Sequence, residues 1–429
     1  MAKAGNRRAG SFGLGQIVKF PEHILVINVF FSPYSYGGAT IVAEEVAKEL
    51  VRSGRRVTAI SGFSRGDLMP YAVVKTGKSR IENYLINLPR KRSYEEIHSN
   101  SRVTEIVARL IDQLEPDIVH AHCIQDIGTG ILPMIRSKGL PLVLSIHDFW
   151  WICERQFMIM PNQRYCEQDP VRIENCRSCV DDWSRARLRF EALQQDAAAA
   201  DLITYPSRFA LDLSVRSGLK CARQEVWPNG VRLPKPEFFE LQAKRREMDE
   251  RLVFGYAGGP THIKGWQVIR AAFERLKRDD FAGILVDGSM RSIGGSWWSA
   301  RRRYSRMMGE WEVVPRYVQE EMDDFYSKID VLLFMSQWKE TFGLGVREAL
   351  SRGIRVLQTD SGGASDWEGA PKVEMLQIGD GPELLAERIE ADLTRPVRGI
   401  EPHDFTSHAE QASSFLKLVQ SISPTRELA

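Results

Sequence analysis

Two glutamates that bracket a glycine-rich turn are the residues best placed for chemistry in this sequence. Glu340 and Glu348 stand eight positions apart, with Gly343 and Gly345 between them. The turn follows an apolar run and opens a helical pattern, so its backbone amides can approach an anion at the positive end of a helix. Carboxylates accept hydrogen bonds from vicinal diols, so one glutamate could hold a ribose and the other a second sugar. The alternative is a surface glutamate at a helix start and a solvated one on the helix.

Two further glycine turns could also face phosphate groups. The turn over 258–265 carries Lys264, whose ammonium can neutralise a diphosphate. Gly37 and Gly38 follow the first apolar run and start a helical pattern, so their amides can face a phosphate across a cleft. Taken singly, these turns also fit a solvated lysine and ordinary turn glycines.

Four cysteines within a polar, irregular segment form a separate cluster. They are Cys153, Cys166, Cys176 and Cys179, and the last two make a Cys-x-x-Cys pair. Four thiolates suit a closed tetrahedral zinc site, and a loop with little core of its own would gain from such a staple. We therefore predict a structural zinc here, with four reduced thiols or a redox pair as the alternatives.

The elements that must position these turns are apolar strands alternating with amphipathic helices. Helical spacing of apolar residues appears at 39–50, 103–114 and 269–276. Such alternation is typical of parallel sheets covered on both faces, and ligands then bind at the carboxyl ends of the strands. The strands are predicted at 23–30, 56–60, 117–122, 141–146, 202–205, 224–227, 252–257, 282–286, 330–335 and 355–359.

A proline- and glycine-rich segment divides the chain into two similar halves. We predict two doubly wound α/β domains facing a cleft, an N-terminal domain over 21–228 and a C-terminal domain over 237–404. The linker is 229–236, and a tail with helical spacing covers 405–429. The first domain contains the cysteine-rich loop 153–179, and residues 1–20 are expected to form a flexible basic tail.

The bulk composition narrows the class of protein. Among 429 residues there are 58 lysines and arginines against 56 acidic residues, so the net charge of +2 argues against nucleic acid as the main partner. No apolar run reaches the roughly 18 residues of a bilayer span, and the basic start lacks an apolar signal region. We expect a cytoplasmic protein. The basic-aromatic stretch 297–304 could add a peripheral contact with the inner face of the membrane, or be a solvated loop.

The turn around Glu340 resembles the E-x7-E signature of family-4 retaining glycosyltransferases. That signature reads Ser-x-x-x-Glu-x-Phe-Gly-Leu-x-x-x-Glu-Ala, and this chain matches it from Ser336 to Ala349. Residues 353–363 resemble the strand and glycine loop that follow it in the family. The resemblance implies the GT-B fold, in which two Rossmann-like domains face a cleft. It also implies an acceptor-side first domain, a nucleotide-sugar second domain and a tail helix returning to the first.

The resemblance also assigns roles to individual residues. It implies that Glu340 binds sugar hydroxyls, that Glu348 binds the ribose, and that His147 lies near the transferred sugar. Gly37 and Gly38 would lie near the donor diphosphate, and the amides of Phe342, Gly343 and Leu344 would contact the sugar and phosphates. The turn at 258–265 resembles the family's donor loop, but Gly259 stands where an arginine is usual. Phosphate neutralisation would then depend on Lys264, on backbone amides and on His262.

The expected function is transfer of a hexose from a UDP- or GDP-linked donor to a cell-envelope glycan or a lipid-linked acceptor, with His147, Lys264 and Glu340 as the catalytic residues. The resemblance implies retention of configuration. No Asp-x-Asp triplet occurs in the sequence, so we expect metal-independent chemistry that needs no cofactor. One alternative is a catalytically silent sugar-nucleotide-binding subunit. Another is a different GT-B enzyme, such as a sugar-nucleotide epimerase or a phosphorylase.

Overall fold

The structure, a computed structural model, describes residues 20–76, 80–286 and 306–422. In the described part, the first sheet has the order β3-β4-β2-β1-β5-β6-β7-β8, and all its strands pair in parallel except β3 with β4. Its strands are β1 (His23–Ile27), β2 (Arg56–Phe63), β3 (Val73–Thr76), β4 (Glu82–Asn87), β5 (Ile118–Ala121), β6 (Leu142–Ser145), β7 (Leu202–Tyr205) and β8 (Gln224–Val226).

A second, smaller parallel sheet carries the C-terminal half. Its order within the described residues is β11-β10-β9-β12-β13. The strands are β9 (Leu252–Tyr256), β10 (Phe281–Val286), β11 (Glu310–Val314), β12 (Val331–Phe334) and β13 (Arg355–Gln358). The direction of winding reverses between β1 and β5 in the first sheet and between β9 and β12 in the second. A crevice opens at such points, so the loops after these strands are where a ligand is expected.

Helices cover the sheets. Those of the first unit are α1 (Gly38–Arg52), α2 (Tyr94–His98), α3 (Ser101–Leu114), α4 (Ile131–Ser137), α5 (Trp183–Ala197) and α6 (Arg208–Arg216). The later ones are α7 (Phe238–Met248), α8 (Trp266–Phe273), α9 (Met322–Tyr326), α10 (Leu344–Leu350), α11 (Pro382–Thr394) and α12 (His408–Gln420).

The apolar stripe of α1 shows why these segments are helical. Val42, Val46 and Leu50 are almost fully buried against the first sheet. Burying one such side chain contributes about 1.5–3 kcal/mol, which is more than the propensity cost of its valines. The helix ends where Gly54, at φ +86°, adopts the left-handed conformation that favours glycine.

Helix α12 packs against the N-terminal unit and not against the C-terminal sheet. Phe415 is fully buried beside α1 and stacks on His120 with ring centroids 4.4 Å apart. The Gln411 side chain accepts a hydrogen bond from the Gly230 amide at 2.7 Å. A Cβ on Gly230 would lie 2.6 Å from the His408 Cα, so this crossing of chain segments needs glycine.

The segment between the two units is held by a buried arginine. Arg352, in the turn after α10, is fully buried and donates from Nε to an Asp323 carboxylate oxygen of α9 at 2.8 Å. Its Nη1 donates to the Arg232 carbonyl at 2.9 Å, and Asp323 accepts from the Lys235 amide at 3.0 Å. The proline-rich segment is therefore fixed to the C-terminal unit through a buried ion pair.

The predicted fold class is confirmed, since both units are α/β with mainly parallel sheets. The limits given for the domains stay predictions. The apolar pattern of the sequence does not predict β3, β4 and β11, which are edge or near-edge strands. In the described part of the chain, no helix is both long and apolar enough to traverse a bilayer. The stretch 297–304, on which the membrane-contact prediction depends, lies outside the described residues.

Replacing Arg352 by leucine should lower the free energy of unfolding by about 3–5 kcal/mol, because Asp323 would keep a buried charge without its partner. Urea denaturation followed by circular dichroism measures this loss. The matched control is Arg278→Leu, which removes an exposed pair with Asp280 and should change stability little. Equal losses in the two variants would contradict the assignment of Arg352 as a buried anchor.

Candidate active site

The loop after β12 places Glu340 by main-chain contacts that only glycine permits. The Glu340 amide donates to the Ser361 carbonyl at 2.9 Å, and the Gly363 amide donates to the Glu340 carbonyl at 2.7 Å. Gly362 adopts φ +66°, and a Cβ on Gly363 would lie 2.1 Å from the Thr341 carbonyl oxygen. The backbone around Glu340 is thus locked to the following glycine loop.

The side chain of Glu340 meets the predicted phosphate-binding lysine. Its Oε1 accepts from Lys264 Nζ at 2.7 Å and from Ser336 Oγ at 2.8 Å. Glu340 is buried, whereas one third of the Lys264 side chain is exposed and its Nζ lies 5.4 Å from the centre of the Trp338 ring. The ammonium can therefore reach a ligand while it stays beside the carboxylate.

A second close approach brings Lys264 to this position. Gly265 has φ +75°, and a Cβ there would lie 2.0 Å from the Met335 carbonyl oxygen at the end of β12. The Gln337 amide donates to the Ile263 carbonyl at 2.8 Å. The loop after β9 is thus pressed against the loop after β12, which is why residues 76 positions apart, Lys264 and Glu340, form a pair.

A cavity of about 600 Å³ lies between the two units. One wall is the start of α1, where Gly37 has φ +82° and a Cβ on Gly38 would be 3.4 Å from the Leu344 side chain. Of the predicted site residues, those that line this cavity are Gly37, Gly38, His147, Lys264, Glu340, Phe342, Gly343 and Leu344. The structure therefore brings together residues from both halves of the sequence.

Glu348 lies in an adjoining cavity of about 300 Å³. Its Oε2 accepts from the Tyr326 hydroxyl at 3.3 Å, and burial raises its pKa against the opposing charge of Arg352. Tyr256 and Tyr317 also line this space. The two cavities share the lining residues Lys264, Phe334 and Gly345, so they form one continuous site.

Two predicted donor-loop residues are not among the lining residues of either cavity. The Gly259 carbonyl accepts a hydrogen bond from the Tyr256 hydroxyl at 2.7 Å, and His262 is exposed. Their proposed contacts with the donor stay predictions.

His147 is half-buried and is the cavity-facing end of a row that continues into the buried His122 and His120. Its Nε2 lies 2.9 Å from His122 Nδ1, the His122 and His120 rings are 3.9 Å apart, and His120 Nε2 lies 2.7 Å from Ser145 Oγ. Burial lowers the pKa of His147 to about 4 and that of His120 to about 3, and it lowers the pKa of His122 well below the ordinary value. His147 is therefore neutral at neutral pH, suited to hydrogen bonding with a hydroxyl.

Beside His147, the carboxylate of Asp148 also lines the larger cavity. Its oxygens accept from the Trp150 amide at 2.9 Å, from Gln125 Nε2 at 3.0 Å and from Gln156 Nε2 at 2.6 Å. Burial raises its pKa, and these three hydrogen bonds oppose that rise. Sequence reasoning assigned no role to Asp148, Gln125 or Gln156. Only the adjacency of Asp148 to His147 could have drawn attention to it.

The zinc prediction for Cys153, Cys166, Cys176 and Cys179 is not supported. Within 20–76, 80–286 and 306–422, no three histidine, cysteine or acidic side chains are grouped to hold a metal. Burial raises the pKa of all four thiols, that of Cys153 to about 12. The loop has apolar anchors of its own, because Met158 and Val171 are buried in the core of the first unit. These contacts hold the loop against the first unit.

The fold and the site define a GT-B glycosyltransferase. Two family models match the chain and confirm this class. The model of Glycosyltransferase Family 4 matches residues 36–234. The model of Glycosyl transferases group 1 matches residues 251–395. The chain belongs to this glycosyltransferase family.

Several known proteins are similar to it along most of its length. Sucrose-phosphate synthase from Thermosynechococcus elongatus has the same fold, with TM-score 0.64 and 15% identity over 92% of this chain and 94% of that chain. The Anabaena protein HepE in complex with UDP-glucose has TM-score 0.58 and 14% identity over 93% of this chain and 96% of that chain. A 42.6 kDa protein in the cps region of Klebsiella pneumoniae is 21% identical over 367 residues, 80% of this chain and 87% of that protein.

Lowering the pH below 6.5 should destabilise the protein through its buried histidines. The unfolded chain takes up protons there that the native state does not, so each such histidine removes about 1.4 kcal/mol per pH unit until its native pKa is reached. Urea titrations at pH 7, 6 and 5 measure the slope. His147→Gln should flatten it, whereas His262→Gln, which changes an exposed ring, should keep the wild-type slope. If the stability of His147→Gln depended on pH as steeply as that of the wild type, His147 would not be the neutral imidazole assigned here.

Proposed function

We propose that this protein transfers a hexosyl group from a nucleoside diphosphate sugar to a hydroxyl of a cell-envelope glycan or glycolipid, with retention of the anomeric configuration. The observation that carries the proposal is the Lys264–Glu340 pair, 2.7 Å apart, in the wall of a cavity that joins both units. A cation for a phosphate and a carboxylate for sugar hydroxyls are thereby placed side by side.

The nucleoside, the diphosphate and the sugar of the donor fit different parts of the two adjoining cavities. The nucleoside fits the smaller cavity, where the Glu348 carboxylate can accept hydrogen bonds from the ribose diol and Tyr256 and Tyr317 supply apolar surface. The diphosphate would lie at the junction, beside Lys264 and Gly345. The sugar then extends into the larger cavity.

In the larger cavity, the proposed sugar position has partners from both units. Glu340 lies on one side of it and the neutral His147 on the other. A buried carboxylate accepts hydrogen bonds from hydroxyls, and a neutral imidazole can donate or accept one. Together these groups can orient the anomeric carbon toward the acceptor.

The chemical difficulty of the reaction is charge separation. Positive charge develops on the sugar ring while the diphosphate leaves with negative charge. The Lys264 ammonium and the main-chain amides of the glycine turns at Gly37 and Gly343 are preorganised to stabilise the leaving group. We therefore propose that the chemical step needs no divalent cation.

Retention follows if the acceptor attacks from the face that the phosphate leaves. The bond from the anomeric carbon to the phosphate oxygen breaks, and the acceptor oxygen forms a new bond to the same carbon. The departing phosphate oxygen takes the proton of the acceptor hydroxyl, so no enzymic carboxylate is needed as a nucleophile. The products are the glycoside and the nucleoside diphosphate.

The comparisons support the donor class and the pathway type. HepE has the same fold and was solved with UDP-glucose, and the Klebsiella relative comes from a cps region. These similarities favour a UDP-sugar donor and a role in surface polysaccharide synthesis.

One observation favours a second candidate, a catalytically silent subunit that binds sugar nucleotides. Gly259 stands where the family usually has an arginine, and it lines neither described cavity. Release of nucleoside diphosphate from a bound donor separates the two functions, since a silent subunit binds the donor without turnover.

Replacing Glu348 by glutamine should weaken donor binding by roughly 10- to 100-fold, because charge-assisted hydrogen bonds to the ribose become neutral ones. The measurement is the rise in melting temperature with UDP, UDP-glucose or GDP-mannose, since a ligand that binds only the native state raises it. The control Glu383→Gln changes an exposed glutamate of α11 and should keep the wild-type shift. An undiminished shift in Glu348→Gln would exclude the ribose contact.

Replacing Lys264 by alanine should lower kcat by about 100- to 1000-fold, the usual loss when one preorganised electrostatic group is removed from the transition state. Lys339→Ala is the control, because the Lys339 ammonium donates to the Asp360 carbonyl at 2.7 Å and lines neither cavity.

In the wild type, EDTA should leave the rate unchanged, and NMR of the product should show the anomeric configuration of the donor. An inverted product would refute the same-face mechanism.

A further inference from the structure

The N-terminal wall of the larger cavity carries an array of amide and carboxylate groups beyond the donor residues. Its centre is Asp148, which binds the side-chain nitrogens of Gln125 and Gln156 through the same oxygen, at 3.0 and 2.6 Å. All three side chains line the cavity. The array lies next to His147 and across the cavity from Glu340, the two residues proposed to hold the transferred sugar.

The array keeps hydrogen-bonding capacity for a ligand. A carboxylate offers about four lone-pair sites, and the described protein groups take three of those on Asp148. The Gln125 Oε1 atom is buried and has no partner within the described part of the chain. A buried amide oxygen without a partner is unfavourable, so a hydroxyl that donates to it would be bound favourably.

The charges of the same wall decide which kind of ligand fits. Among the described lining residues, the acidic side chains are Asp126, Asp148 and Glu340, and the cation is Lys264, which Glu340 already pairs. Binding a phosphate monoester here would need a second cluster of cations or amides, because Lys264 and the Gly37 amides are assigned to the donor diphosphate.

Two arginines lie behind this wall and do not alter that balance. Arg92 Nη2 pairs with an Asp126 carboxylate oxygen at 2.8 Å, and Arg189 donates to the Trp150 carbonyl at 2.9 Å. Neither arginine lines the cavity. Their charge balances the carboxylates of Asp126 and Asp148 and is not presented to a ligand.

We infer that Asp148, Gln125 and Gln156 bind an uncharged sugar as the acceptor, the terminal residue of a glycan, and that the site discriminates against sugar phosphates. Phe157 and Tyr36, which also line the cavity, supply apolar surface for the faces of the sugar ring. The inference rests on the proposed transferase function and adds the chemical class of its acceptor.

The test compares acceptors of the two classes at equal concentration. The purified protein is given the nucleotide sugar that raises its melting temperature, together with methyl glucoside, methyl mannoside or methyl galactoside. Parallel reactions contain glucose 6-phosphate or mannose 6-phosphate. Release of nucleoside diphosphate should rise at least severalfold with one of the neutral glycosides and stay at the donor-only level with the phosphates.

Variants of the array then locate the acceptor site. Asp148→Asn should raise the KM for the neutral glycoside about 10-fold while the donor still raises the melting temperature. Gln125→Leu roughly keeps the side-chain volume, removes the amide nitrogen and oxygen, and should give a similar rise even if Asp148→Asn folds poorly. The control is Asp181→Asn, which makes the same chemical change at an exposed position of the chain and should leave KM and melting shift unaltered.

Each outcome is decisive. Stimulation by a hexose phosphate above that of the neutral glycosides would overturn the inference, and so would unchanged glycoside KM values in both array variants. If the donor binds and is slowly hydrolysed but no neutral glycoside increases turnover, the acceptor class is wrong and the transferase proposal stands. If no nucleotide sugar binds the wild type, both proposals fail.

Discussion

The close approach of two loops at Thr341 is the constraint on which the site depends. The Gly363 backbone lies so near the Thr341 carbonyl that no side chain fits, and the same carbonyl accepts from Ser207 Oγ of the first unit at 2.7 Å. Thr341 Oγ1 donates to the His147 carbonyl at 2.6 Å, which ties this loop to the other wall of the cavity. From within the C-terminal unit, the buried Arg347 donates to the carbonyls of Gly363 and Phe342. One short segment therefore positions Glu340 and holds the two units together.

Burial shapes the charges of the site as strongly as direct pairing does. It keeps the histidine row neutral, raises the pKa of Glu348 and Asp148, and lowers that of Arg347 to about 9. Low-dielectric surroundings of this kind strengthen each remaining hydrogen bond and make each unpaired polar group costly. A bound sugar nucleotide would supply hydrogen-bond partners for buried polar groups that have few partners within the protein. This is a physical reason for the domains to close around a donor and exclude water.

Apolar patterns in the sequence predict most of the described strands, but they miss β3 and β4 at one edge of the first sheet and β11 at one edge of the second. They also miss several helices, such as α5 and α11. Continuous apolar strands such as 202–205 were placed without error because they are buried on both faces. Strand β4 carries Asn83 and Asn87, which are buried and bonded to neighbouring loops, for example Asn87 Nδ2 to the Leu68 carbonyl at 3.0 Å. Those polar residues interrupt the apolar pattern, and their partners are distant in the chain. The zinc prediction for the cysteine cluster lacks support for a related reason, since spacing alone does not show how a loop packs.

The sequence by itself determined the fold class, the family and the chemistry of the turn from Ser336 to Leu350, because these depend on local patterns of apolar residues, glycines and carboxylates. Only the tertiary structure decided which groups meet. The pairing of Lys264 with Glu340, the contact between His122 and His147, and the array around Asp148 join segments separated by up to 76 positions along the chain. Such contacts arise from the order of strands in two sheets and from close backbone approaches at glycines. Neither leaves a periodic trace in the sequence.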